Sequence, residues 1–455
     1  LRELSTQKMD YLKAESYLYD LSLHGTKLGL ANITQLLDSI NNPHKKLVFI
    51  HIAGTNGKGS VCAILNSILT QAGFKVGVFT SPHLISLRER FKINNRIICI
   101  EDFISTVKRI KPAIESLNKK DVFPTFFEAV TAMAADYFLR KNVDVVIWET
   151  GLGGSYDSTN IVDSLISAIT NVGLDHCQYL GNTLEKIARD KAGIIKENSI
   201  FCTASNNKKI IDIFKNICLN KNTKFVLSDK RKIKANKKNA SSFDYISDDI
   251  KLSGLTSRLD TDYQWDNISL SITIAYEYFK KSVPGIELNR IEKYIMEGLK
   301  KAKIQGRFQL VQDNPPVIVD PAHNPPGFIA LRDSLLKKYP SWKYIFVFGI
   351  LSDKDYEAYT RLLAPIAHTI YCVEPKSKRR LPAIELTKCC VKHATTETTV
   401  YSGPTLYEIL KRYNYGSKKS KELLVICGSF YLVGETLKLL KKTRLKIFDK
   451  ETDYR

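Results

Sequence analysis

The segment His51-Ile52-Ala53-Gly54-Thr55-Asn56-Gly57-Lys58-Gly59-Ser60 lies between an apolar run and a helical pattern. At such a junction free backbone N–H groups and the helix dipole favour an anion. Glycines let the backbone wrap a phosphate, and Lys58 adds a point charge. Gly54, Thr55, Asn56, Gly57, Lys58, Gly59 and Ser60 are therefore the candidate phosphate ligands. The segment departs from the common phosphate-loop pattern in two ways: the leading glycine is closer to Gly57-Lys58, and Gly59 replaces the usual Ser or Thr. The hydroxyl that normally meets magnesium is missing from its place, which predicts a metal ligand elsewhere. The competing reading, a glycine-rich turn with a chance lysine, fits poorly with a strand before it and a helix after it.

Other residues could carry chemistry but have a structural alternative when taken alone. Glu149 ends the apolar run Val143–Trp148, where a carboxylate is costly unless paired or coordinated; a structural salt bridge is the alternative. His176 in isolation reads more readily as a hydrogen-bonded histidine than as a ligand. Asp320 ends a second apolar run, where ligands gather in open α/β sheets, although Asp320-Pro321 also reads as a simple turn. Arg307 offers a guanidinium fork suited to phosphate. Phe126 and Phe127 present a stacking surface or, equally, core packing.

The elements that must hold these residues follow from periodicity. The run Leu47–Ile50 is a strand, followed by the glycine-rich turn and a helix from Gly59 to Gln71. Strand-like runs recur at Val76–Phe79, Val143–Trp148 and Ser167–Asn171 with helical patterns between them, as a parallel sheet requires. A helix is expected over Ile187–Ile195, and the lysine-rich interval Lys230–Asn239 is expected as an exposed hairpin or loop. From Arg307 a second series begins: strands Phe308–Val311, Val317–Asp320, Tyr344–Gly349, His368–Val373 and Leu423–Cys427, with helices Gly327–Lys338 and Leu432–Lys441. The expected architecture is α/β, with a large P-loop-type mononucleotide-binding domain over residues 1–302 and a smaller Rossmann-like domain over 303–455.

Composition bounds the function. A chain of 455 residues has room for two or three domains with cores of their own. Its apolar runs are too short to cross a bilayer and its first residues carry no signal-peptide h-region, so a cytoplasmic enzyme without membrane partners is expected. The nine cysteines are scattered, with only Cys389 and Cys390 adjacent, which suits buried reduced thiols better than a disulfide framework or metal clamp. A formal charge of +21 would suit a nucleic-acid binder, but the lysines are dispersed and not interleaved with aromatics, so no nucleic-acid partner is expected. The same charge suits small anionic ligands such as nucleotides and carboxylates.

The variant Thr55-Asn56-Gly57-Lys58-Gly59-Ser60 resembles the phosphate loop of the folylpolyglutamate synthase and dihydrofolate synthase family of the Mur ligase superfamily. The resemblance continues through Phe79-Thr80-Ser81-Pro82-His83-Leu84, Glu149-Thr150-Gly151-Leu152-Gly153-Gly154 and Asp157-Ser158-Thr159-Asn160. It then takes in Leu174-Asp175-His176, Leu180-Gly181, Lys191-Ala192-Gly193-Ile194, Gly306-Arg307-Phe308 and Asp320-Pro321-Ala322-His323-Asn324-Pro325. Each match is weak alone; together they keep family order over nearly the whole chain.

The resemblance implies an ATP-dependent ligase that joins L-glutamate to dihydropteroate, to folates, or to both. It implies that the Ser81 hydroxyl, the Glu149 carboxylate and a ring nitrogen of His176 bind magnesium, two ions in all. It further implies that Lys191 is carbamylated by carbon dioxide and so becomes an anionic ligand. That step needs the neutral amine, which desolvation favours; an ordinary solvated lysine is the alternative. ATP is expected between the domains, touching the phosphate loop, Asn267, Arg307 and Asp320, with Lys58, Lys191, Asp320 and His323 in catalytic roles. The segment Phe123-Pro124-Thr125-Phe126-Phe127-Glu128 resembles the part that meets the pteroate moiety, giving Thr125, Phe126, Phe127 and Glu128 as substrate contacts. Gly25-Thr26-Lys27-Leu28-Gly29-Leu30 resembles the family's pterin-side loop. A monomer is expected.

Two departures stand out. Pro321 occupies a place where the family commonly has glycine, and Ser155-Tyr156 stands where it usually carries arginine and then a small or apolar residue. The expected reaction begins with attack of a substrate carboxylate on the γ-phosphate, and the glutamate amine then displaces phosphate from the acyl phosphate. The rivals are a P-loop NTPase or kinase without amide formation, a different Mur-type amino-acid ligase, and an inactive homologue motivated by Ser155.

Overall fold

The computed structural model describes residues 2–25, 29–235, 242–247, 249–259, 261–415 and 421–442. They form two compact units, Leu1–Pro82 with Leu87–Lys303, and His83–Ser86 with Ile304–Arg455.

The first unit is built on an eight-stranded sheet of β1 (Phe49–Ala53), β2 (Val76–Phe79), β3 (Phe91–Ile93), β4 (Arg96–Ile97), β5 (Val145–Glu149), β6 (Ile166–Ile169), β7 (Ile200–Thr203) and β8 (Lys224–Leu227). Their order is β4-β3-β2-β5-β1-β6-β7-β8. From β2 to β8 the neighbours run parallel, while β3 and β4 add an antiparallel edge. The central strands are buried along their whole length, which is why they read as continuous apolar runs rather than alternating ones. One face of the sheet, with Phe49, Phe79 and Trp148, shares a core with Phe103 of helix Ile100–Asn118 and Phe138 of helix Phe126–Arg140. Helix Lys58–Gln71 packs against helices Asp262–Ser282 and Leu288–Lys301. The register Ile52↔Glu149 and Ile52↔Ala168 brings the carboxyl ends of β1, β5 and β6 level, so Gly54, Thr150 and Thr170 leave the sheet side by side.

Three segments differ from expectation. β1 runs to Ala53 rather than stopping at Ile50, because its pairing with β5 and β6 continues to the loop. The helix expected over Ile187–Ile195 is an α-helix over Leu184–Lys191 that tightens into a 3-10 turn over Ala192–Ile194. In the lysine-rich interval, Lys230–Lys232 is a 3-10 turn and Ile233–Ala235 is β9, the edge of a three-stranded antiparallel sheet with β10 (Phe243–Ile246) and β11 (Lys251–Leu255). Residues 236–239 of that interval, and residues 26–28 of the expected pterin-side loop, lie outside the described residues.

The second unit carries β12 (Gln309–Asp313), β13 (Pro316–Asp320), β14 (Lys343–Phe348), β15 (Ala367–Cys372), β16 (Thr399–Ser402) and β17 (Glu422–Cys427) in the order β12-β13-β17-β14-β15-β16. All neighbours are parallel except β12. This is the expected Rossmann-like sheet, with Asp320 at the carboxyl end of β13. No helix among the described residues is long and apolar enough to cross a membrane. All nine cysteines are free thiols.

Candidate active site

The loop after β1 is fixed by the end of β6. The Thr55 N–H donates to the Asn171 carbonyl (3.1 Å) and the Asn56 N–H to Asn171 Oδ1 (2.9 Å). The Thr170 hydroxyl donates to the Asn56 carbonyl (2.6 Å), and Thr55 Oγ1 meets both the N–H and the carbonyl of Gly173. At Gly54, with φ of 148°, a Cβ would overlap the Thr170 hydroxyl; at Gly57, with φ of 86°, it would overlap the Asn267 amide. Gly57 caps helix Lys58–Gln71, whose N-terminus faces the loop. The Lys58 ammonium donates to the carbonyls of Gly54 (2.8 Å) and Thr55 (3.3 Å) and so sits at the mouth of the loop. Asn267 is buried and donates to Tyr263 O and Gln264 Oε1, which seats it against Gly57.

Glu149 closes β5, only 3% exposed, and accepts the Ser81 N–H at 3.0 Å. The next residue, Thr150, has a buried Oγ1 with no partner among the described residues. The buried Glu149 carboxylate, with Ser81 beside it, offers oxygen chemistry of the kind a hard cation such as magnesium takes. Among the described residues no three His, Cys, Asp or Glu side chains form a closed metal site. Magnesium retains waters and phosphate oxygens and does not need one. His176 has φ of 51° and donates its backbone N–H to Asp175 Oδ1 (2.9 Å). Its ring is 40% exposed, with Nε2 3.7 Å from the same oxygen.

Lys191 ends helix Leu184–Lys191 and is 3% exposed. Burial, reinforced by the charge of Lys58, lowers its pKa to about 7; Asp190, Asp175 and Asp157 oppose the shift. The structure thus offers at Lys191 a buried amine that gives up its proton more readily than an ordinary lysine.

Thr125 and Glu128 are engaged with each other. They form a capping box at the start of helix Phe126–Arg140, with the Thr125 N–H (2.7 Å) and hydroxyl (2.9 Å) both donated to Glu128 Oε2. Phe127 lies against Gly151 and Phe79. Phe126 stacks on Tyr19 with centroids 5.5 Å apart, and the Arg90 guanidinium lies over its ring.

Several residues to which the sequence reading gave no role hold the site together. Asp157 accepts the Leu152 N–H (2.6 Å) on Oδ2 and the Thr159 N–H (3.0 Å) and hydroxyl on Oδ1. This fastens the turn after β5 to the Asp157–Asn160 loop. The Asp-x-Thr spacing is an Asx-turn signal that sequence alone carries. Lys92 on β3 is a second enclosed amine; burial lowers its pKa, opposed by Glu89 and Glu149. Nothing local marked it.

In the second unit, Asp320 is buried and accepts the N–H groups of Phe308 (2.8 Å) and Ala322 (2.8 Å). Burial raises its pKa and Arg307 opposes the rise. The Arg307 guanidinium lies over the Phe430 ring at 5.0 Å, and the His323 ring is 5.3 Å from the same ring. His323 Nδ1 is 2.9 Å from the Pro321 carbonyl, so Nδ1 carries the proton. Arg307 and His323 therefore meet at Phe430, and Asp320 feels the charge of Arg307.

Comparison with known proteins agrees with this layout. Residues 52–275 match the model of the Mur ligase middle domain, and residues 306–430 that of the Mur ligase glutamate ligase domain. A dihydrofolate synthase/folylpolyglutamate synthase of Bacillus subtilis is 33% identical over 440 residues, covering 95% of this chain and 99% of the relative. The crystal structure of folylpolyglutamate synthase from Thermotoga maritima superposes with a TM-score of 0.81 at 32% identity, covering 96% of this chain and 98% of that one. The Escherichia coli FolC structure in complex with DHPP and ADP superposes with a TM-score of 0.82 at 26% identity, covering 95% and 98%. With this agreement along nearly the entire chain, the protein belongs to the dihydrofolate synthase/folylpolyglutamate synthase family of Mur ligases.

Proposed function

We propose that this chain catalyses ATP- and magnesium-dependent addition of L-glutamate to dihydropteroate, to folates, or to both, through an acyl phosphate. The observation that carries this reading is the gathering, at the carboxyl ends of β1, β5 and β6, of a phosphate loop, a buried carboxylate and a low-pKa lysine. The substrate carboxylate attacks the γ-phosphate, ADP departs, and the glutamate amine displaces phosphate to form the amide. Phosphoryl transfer asks chiefly for positioning and charge neutralisation. Lys58 and the loop N–H groups supply both to the phosphates, with Asn267 supporting Gly57.

Ser81 and Glu149 would hold magnesium, with His176 assigned to it by family resemblance. Bound magnesium supplies charge neutralisation at the transferred phosphate. As a carbamate, Lys191 would be an anionic ligand to a second ion. Arg307, Asp320 and His323 are read as the second unit's contribution to ATP and the reacting groups. Phe126 and Phe127 are read as the aromatic contacts to the acid substrate, with Thr125 and Glu128 fixing the helix that bears them. The working unit is read as a cytoplasmic monomer without a nucleic-acid partner.

The test is phosphate release from ATP and magnesium with labelled glutamate, run with dihydropteroate, with a tetrahydrofolate, and with neither, while product mass is recorded. A gain of one glutamyl unit on either acid establishes the ligase and identifies its substrate. Phosphate release without amide would replace it by an NTPase.

A further inference from the structure

The last carbonyls of a helix run out of intrahelical donors. At the end of helix Leu184–Lys191 the Asp190 carbonyl is filled from outside: the backbone N–H and the hydroxyl of Ser155 both donate to it, each at 2.9 Å. The approach is close enough to exclude a side chain on either side. A Cβ at Gly154 would lie 2.6 Å from the Lys191 carbonyl oxygen and 2.7 Å from its Cα, and a Cβ at Gly193 would overlap the Ser155 hydroxyl. Asn160 completes the junction, its amide donating to the carbonyls of Ser155 (3.1 Å) and Gly193 (3.2 Å). Ser155 therefore holds the backbone of the helical turn from which the Lys191 side chain springs.

We propose that Ser155 is a positioning residue for Lys191, its hydroxyl fixing the last helical turn so that the buried amine is held where a carbamate forms and persists. This rests on the reading of Lys191 as the carbamylated residue. In that step the amine lone pair forms an N–C bond to carbon dioxide, one C=O π pair moves onto oxygen, and the nitrogen releases one proton to solvent. Ser155 is a short side chain whose hydroxyl donor reaches the helix end.

The experiment titrates the full-length protein with ¹³C-bicarbonate at pH 8 and follows the carbamate resonance by ¹³C NMR. The wild type should give a resonance that Lys191→Ala removes. Ser155→Ala should reach the same saturated signal but need about three- to tenfold more bicarbonate, the loss expected from one neutral hydrogen bond. Ser155→Cys, of similar size and a weaker donor, should fall between them and covers the case in which the alanine variant fails to fold. If Ser155→Ala, or Ser155→Cys in its place, titrates like the wild type, Ser155 has no positioning part while the Lys191 reading stands. If the wild type gives no resonance sensitive to Lys191→Ala, the carbamate reading and this inference fall together.

Discussion

A lysine ammonium neither binds a cation nor reacts with carbon dioxide, and burial is what sets Lys191 apart from the solvated lysines of this basic chain. With its pKa lowered from the ordinary value to about 7, the amine is mostly neutral above that pH and mostly charged below it. At fixed carbon dioxide pressure the carbamate resonance of Lys191 should therefore weaken as pH falls from 8 to 6; a signal flat across that range would contradict the shift. Lys58 differs, since its ammonium is held by the carbonyls of Gly54 and Thr55 in the loop proposed to bind phosphate. Lys58→Ala should lower amide formation by about a hundredfold or more, measured as phosphate release coupled to glutamate incorporation. Near-normal turnover would remove the loop from the ATP site. Sequence singled out both lysines, but only Lys58 by a local pattern. The charges that bear on Lys191 come from Lys58, Asp175 and Asp157 as well as the adjacent Asp190, and no spacing rule connects the first three to it.

Elements explain what single residues leave open. Thr125 and Glu128 entered as substrate contacts, and the structure engages both in capping helix Phe126–Arg140. The Thr-x-x-Glu spacing ahead of an apolar run is itself a capping-box signal, so this role was legible in the sequence. Thr125→Ala should cost about 1 kcal/mol of stability, read as a lowered urea midpoint. A raised KM for the acid substrate at unchanged stability would instead return Thr125 to substrate contact. In β1, His51 is buried, with Nε2 2.9 Å from Thr159 Oγ1. Because that hydroxyl donates to Asp157, it accepts from Nε2–H.

Burial, with a smaller effect of Lys196, lowers the His51 pKa to about 3. Between that value and the ordinary 6.5 the unfolded chain binds the proton and the folded one does not, so His51 makes stability rise with pH across this window. By pH 5 its contribution should be about 2 kcal/mol against folding relative to pH 7.5. The check is urea unfolding of the wild type and His51→Gln at both pH values; equal pH dependence in the two would exclude a buried neutral His51.

At the scale of the molecule, a formal charge of +21 surrounds sites read as binding anions. Salt screens such attraction within about 10 Å at 0.1 M. Raising ionic strength should therefore increase the KM for ATP several-fold with a smaller change in kcat, measured by phosphate release across a salt series. An unchanged KM would confine the electrostatics to the loop itself. The α/β architecture and the Rossmann-like sheet of the second unit were legible because buried parallel strands leave continuous apolar runs. The sheet of β9, β10 and β11 was not, since its short strands are partly exposed and leave no such run.

Sequence by itself determined the glycine-rich junction after β1, the alternation of strand and helix, and the family, because a tight strand-to-helix turn and the covering of a sheet impose patterns on neighbouring residues. Tertiary structure alone decided that Thr170 and Asn171 fix that loop and that Ser81 meets Glu149. It also decided that Ser155 holds the helix end bearing Lys191. Each of these is a contact between segments distant in the chain, and the desolvation that makes an amine neutral exists only once those segments have closed around it.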